Sequence, residues 1–131
     1  MEKVSREVAE SEFGRFCSML EAYSDADSLN SDDDRQEFND NRERFVSAVM
    51  RGSLVVDESG EVTYTAKNGL ELHFSEPTAG QIVAVDRHKK DHNAAKQIAL
   101  IAALSGKTER EIGQLVQRDM RVLNAIVAGF F

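Results

Sequence analysis

The hydrophobic period of this chain changes twice, from helical spacing to strict alternation after Gly52 and back to helical spacing after Pro77. A chain with that pattern has to place a small sheet between two helical parts. Upstream of the first change, Phe13, Phe16, Cys17, Leu20 and Tyr23 recur at steps of three and four residues, which predicts an amphipathic helix from about Arg6 to Tyr23. The polar stretch SDADSLNSDDD reads as an exposed linker, because its short side chains bond their own backbone and favour turns. A second helix carries Phe38, Phe45, Val46 and Val49. Asp32 to Asp34 put negative charge at its first turn, where it complements the unpaired amides, and Gly52 is placed to end it.

Between the two changes, Leu54 to Asp57, Glu61 to Ala66 and Leu70 to Phe74 are short β-type runs separated by DESG and KNG, the turn chemistry that hairpins require. In the third run Leu70, Leu72 and Phe74 alternate with Glu71 and His73, so one face should be buried and the other wet. Pro77 cannot continue a central strand, and Thr78 stands three residues before Gln81, the spacing of a capping box. A short helix carrying Ile82, Val83 and Val85 should follow and end in RHKKDHN. Ala94 to Leu104 is almost wholly apolar and predicts a helix through the core, stopped by Ser105 and Gly106. Thr108 with Glu111 forms a second capping box. Asp119 can cap a last helix, MRVLNAIVAGF.

The predicted fold is therefore α+β: N-terminal helices, a three-stranded antiparallel β-meander, and a C-terminal helical bundle packed on one sheet face. At 131 residues the chain suits a single domain over 1–131, with an acidic helical front part (1–52), the meander (53–76) and a helical part (77–131). The formal charge of -7 lies wholly in the first third: residues 1–45 hold 13 acidic and 6 basic side chains, and the rest hold 10 of each. That imbalance repels polyphosphate and argues against nucleic acid as the main partner. It also suggests that charge keeps the protein dissolved and steers a basic client. Cys17 is the one cysteine, so neither an intrachain disulfide nor a cysteine zinc cluster can form. No apolar run is long enough to cross a bilayer, and Met1 to Glu12 is charged throughout, so no membrane partner and a cytoplasmic location are expected.

Candidates for chemistry are few. Consecutive carboxylates at Asp32 to Asp34 do not converge on one metal, and the glycine and spaced ligands of a calcium loop are missing. His88 and His92 have the four-residue spacing that can hold zinc, yet the intervening Lys89, Lys90 and Asp91 look like a solvated helix end. The string SGKT at 105–108 lacks the glycine five residues earlier and the leading strand of a phosphate loop. No local pattern surrounds Cys17, a serine or a histidine to mark a nucleophile with its base. The expectation is a protein with no catalytic residues, no metal and no cofactor. The rival reading is DNA regulation: Ala102, Gly106 and Ile112 fit helix-turn-helix spacing, although Glu109 and Glu111 beside Arg110 give the reading helix little positive field.

Three stretches, LELHFSEPTAGQI, QIALIAALSGKTEREIGQL and RDMRVLNAIVAGFF, occur in an order that resembles the tail assembly chaperones of tailed bacteriophages. The resemblance spans about residues 69–131: a strand ending in a Pro-Thr junction, an aliphatic-rich helix, a Gly turn and a capped pair of final helices. Residues 1–66 lie outside it. It implies a non-enzymatic accessory in virion morphogenesis that binds the tape measure protein, helps recruit the major tail tube protein, and leaves. It also implies that a longer form can arise by a ribosomal frameshift near the end of the reading frame. The residues supply a physical version. The last segment is apolar nearly all round, more than one helix hides on a single side, so Leu123, Ile126, Val127, Phe130 and Phe131 are the expected contacts for a client or for another copy in a homo-oligomer. The competing reading puts Leu123, Ile126 and Val127 in the core, with the terminal phenylalanines docked over it.

Overall fold

A computed structural model of the chain describes residues 4–20, 31–81, 83 and 94–128. Helices α1 (Arg6–Met19) and α2 (Asp32–Arg51) precede strands β1 (Leu54–Val56), β2 (Val62–Thr65) and β3 (Glu71–Phe74). Helices α3 (Ala94–Ser105), α4 (Glu109–Gly113) and α5 (Gln117–Ala128) follow. The α+β order and the meander, β1-β2-β3 with both pairings antiparallel, are those expected. Residues 79–81 and 83 are helical as the Pro77 junction requires, while Tyr23, His88, His92, Phe130 and Phe131 lie outside the described residues.

Local chemistry sets the ends of the first two helices. The hydroxyl of Ser5 accepts from the Val8 N–H at 3.3 Å, and that of Ser31 accepts from the Asp34 N–H at 3.0 Å, so each satisfies an otherwise orphaned donor. Asp32, Asp33 and Asp34 occupy the first turn of α2, as predicted. At its far end Gly52 adopts φ 80°, and the Ser53 N–H reaches back to the Ala48 carbonyl at 3.1 Å, a left-handed cap that glycine adopts without strain.

The sheet buries one face. Leu54 and Val56, Val62 and Tyr64, and Leu72 and Phe74 point inward and are at most 3% exposed, while Val55, Thr63, Glu71 and His73 point outward. The register pairs Leu54 with Tyr64 and Tyr64 with Leu72, so the inward residues form aligned rows across the three strands. Helix α1 covers the outer edge of β1. The Arg15 guanidinium donates to the carbonyls of Val56 (2.8 Å) and Asp57 (3.0 Å), and a Glu12 carboxylate oxygen accepts from the Val56 N–H at 3.4 Å. An edge strand that would otherwise present open backbone groups is thereby occupied.

The N-terminal helices share the cover of the sheet with the C-terminal ones. Helix α2 packs against α1, β1 and α5, while α3 packs on β3. Phe45 stacks on Phe16 at 5.0 Å and meets Phe13 edge-on at 5.1 Å, placing the aromatic centre of the core between α1 and α2. One apolar cluster draws on all eight elements, from Ala9 to Val127. The front part is thus built into the same core as the rest, because an amphipathic α2 has apolar residues to bury on more than one side.

Candidate interaction surface

The strand-to-helix junction is held as its residue spacing predicts. The Gln81 carboxamide oxygen accepts from the Thr78 N–H at 2.9 Å, and the Thr78 hydroxyl accepts from the Gln81 N–H at 3.2 Å. The Gln81 amide nitrogen then donates to the Ala103 and Leu104 carbonyls, each at 3.3 Å. Those carbonyls belong to the last turn of α3 and have no partner within the helix. One glutamine therefore starts a helix and finishes another, which fixes the exit of β3 against α3. Beyond α3, Gly106 takes φ 71°, and the second box closes with Thr108 and Glu111 each bonding the other's backbone at 3.1 Å. The bond from the Thr108 N–H, and then a further one in which the Thr108 hydroxyl donates to the Glu111 carboxylate at 3.1 Å, hold that carboxyl below its usual value.

Asp119 does something other than cap. Helix α5 begins at Gln117, so Asp119 falls inside the first turn, only 1% exposed. One carboxylate oxygen accepts from the Tyr64 hydroxyl at 2.6 Å, and the other accepts from the Lys67 N–H at 3.1 Å. A single side chain on α5 thus holds both the middle of β2 and the turn leading to β3. Burial, and then the bond to Asp119, push the Tyr64 hydroxyl well above its ordinary value. The signal was present in the spacing: Asp119 stands three and four residues before Val122 and Leu123, on the buried stripe, and Tyr64 is in phase with Val62.

Of the expected contact residues, Leu123 and Ile126 are fully buried and Val127 is 4% exposed, so in this chain they lie in the core. The physical reason is that α5 is flanked by α2 on one side and α3 on another, which hides an apolar surface wider than one stripe. Phe130 and Phe131 fall outside the described residues. Among the described residues, the exposed large aliphatics are Val8, Val55, Val83 and Val116, which stand on different elements.

The chemical candidates resolve as follows. Cys17 is buried and its thiol is pushed up to about 11 by burial, which leaves little thiolate at neutral pH. Thr63 Oγ1 lies 3.1 Å from His73 Nδ1, and His73 Nε2 lies 2.9 Å from Glu61 Oε1, a hydroxyl–imidazole–carboxylate string. It runs across the wet sheet face with the His73 side chain 55% exposed, where it forms an ordinary cross-strand pairing with a reacting group left in bulk water. No cluster of three metal-ligating side chains occurs among the described residues. In the SGKT string, Thr108 is engaged by Glu111 and Gly106 closes α3, so neither cradles a phosphate. The helix offered as a DNA reader, α4, has 5 residues, about 8 Å of axis, which is short for a recognition helix. No described helix is long and apolar enough to cross a membrane.

No curated protein and no solved structure matches the chain. The sequence family described as phage tail assembly chaperone proteins, E, or 41 or 14, matches residues 58–131, more than half of the chain. The match opens in the β1–β2 turn, upstream of the stretches that first suggested it, and so takes in β2, β3 and the Tyr64–Asp119 clamp as well as α3 to α5. With β2, β3 and the three C-terminal helices covered by one family over more than half of its length, the chain belongs to the phage tail assembly chaperones.

Proposed function

We propose that the chain acts by binding alone: it holds the tape measure protein during tail assembly, keeps that protein's helices dissolved, and helps bring major tail tube subunits to it in the host cytoplasm. The observation that carries this reading is the family match over residues 58–131. The build of that region supports it. Its helices are tied by capping boxes and by the Asp119 clamp into a firm support, and the chain continues from α5 into the two terminal phenylalanines. Phe130 and Phe131 are the proposed contacts, since Leu123, Ile126 and Val127 are buried in the core.

Co-expression with the tape measure protein of the same phage tests the reading. The tape measure should move from the insoluble to the soluble fraction and co-purify with the chain. An equally insoluble tape measure with and without it, or a soluble tape measure that never co-purifies, refutes the proposal.

A further inference from the structure

A cleft of about 260 Å³ opens between α2 and α5, lined by Glu43, Arg44, Ser47, Arg51, Arg118, Arg121 and Val122. Arg44, Ser47 and Arg51 lie on one face of α2 at steps of three and four, and Arg118 and Arg121 lie on the facing side of α5. Among the described residues, none of these four arginines has a carboxylate within 4.0 Å, although the chain as a whole is acidic. The single acid in the lining, Glu43, is bonded by Arg6, which holds its carboxyl below the usual range.

Helix stability does not account for the cluster. Arg51 at the end of α2 complements the helix dipole, but Arg118 sits in the first turn of α5, where a cation is opposed by the dipole and by the exposed N–H groups. Four positive groups therefore converge on one cleft and add to the positive end of a helix. That is the chemistry of a site for several carboxylates together.

The chain itself carries a matching ligand. Asp32, Asp33 and Asp34 are exposed at the start of α2, Asp32 in an ion pair with Arg35 of the same helix, and Asp25 and Asp27 precede them in the sequence. From Arg44 to Arg51 the cleft wall runs about 10 Å along α2, about the width of one helix with its side chains, so it can take the helical first turn that carries the three aspartates. Asp32 lies about 18 Å of helix from Arg44 on the same α2, so its own copy cannot fill the cleft. We propose that the cleft receives the Asp32–Asp34 segment of a second copy of this chain, pairing its carboxylates with Arg44, Arg51, Arg118 and Arg121. Such a contact joins two different surfaces, head to tail, and repeats into a ring or a short stack. Nucleic acid is the weaker occupant, since a long polyanion would also have to lie against the acidic first third.

A charge-swap experiment on the full chain tests this. Self-association is measured by sedimentation at low and high salt for the natural sequence, for Arg118→Glu with Arg121→Glu, for Asp33→Lys with Asp34→Lys, and for the two variants mixed. Each variant alone should associate about tenfold more weakly, or worse, because attractive pairs become repulsive, and the mixture should regain the loss. A synthetic peptide of residues 24–34, titrated into the natural protein, should bind in low salt and compete with self-association; this arm needs no variant to fold. The proposal is overturned if the natural protein stays monomeric and the peptide does not bind. It is equally overturned if the variants associate normally, if the mixture fails to recover, or if the arginine pair governs retention of duplex DNA and leaves self-association untouched.

Discussion

Tyr64 and Asp119 are separated by 55 positions in the chain and meet at 2.6 Å in the core, with Lys67 supplying the second bond to the same carboxylate. Removing the acceptor strands the buried Tyr64 hydroxyl and the half-buried Lys67 N–H at once. Asp119→Ala should therefore cost about 2–4 kcal/mol in urea unfolding, the penalty for leaving buried polar groups unsatisfied. A loss within experimental error would mean that water replaces the carboxylate. The tyrosine also makes stability depend on alkali. Its folded value is raised above the ordinary 10.0, so its neutral form stabilises the fold fully below pH 10 and that contribution is lost as pH climbs further. Tyr64→Phe should be less stable than the natural chain at neutral pH, with the gap closing above pH 10. Melting curves of the two proteins against pH measure it, and parallel curves through that range would contradict the assignment.

At the scale of elements, α1 reaches the sheet through a close approach rather than through apolar packing alone. Gly60, in the β1–β2 turn, has φ 94°, and a Cβ there would lie 2.5 Å from the Arg15 carbonyl oxygen and 2.7 Å from the Met19 Cβ. Both the backbone angle and the clash penalise a side chain. Gly60→Ala should destabilise the protein by about 2 kcal/mol or more, and should speed hydrogen exchange first at the C-terminal end of α1 and at Val56. Uniform exchange with unchanged stability would show that α1 moves aside freely. The capping boxes at Thr78 and Thr108 belong to the same scale, and both were legible from spacing because a box is a relation between residues three apart. The Gln81 link to α3 was not, since its partners lie 22 and 23 positions further along the chain.

For the whole molecule, the question is which surface meets a client. Leu123, Ile126 and Val127 are taken up by the core, so the proposed contact rests on the terminal pair. Phe130→Asp with Phe131→Asp should leave the thermal midpoint nearly unchanged while weakening capture of the tape measure by about tenfold or more, the loss expected when two aromatic anchors are replaced by charge. Pull-down yields and melting curves together decide it, and an unaltered yield would remove these residues from the contact. Alternation, helical spacing, turn glycines and caps by themselves determined the α+β class, the three strands and the order of the helices, because each depends on residues a few positions apart. Tertiary structure alone decided three further things: that α2 lies at the centre of the fold, that Asp119 clamps β2 instead of capping α5, and that four arginines from two helices face one cleft. Each depends on groups brought together across the chain, and neither burial on two sides nor convergence of charge leaves a periodic mark in a linear sequence.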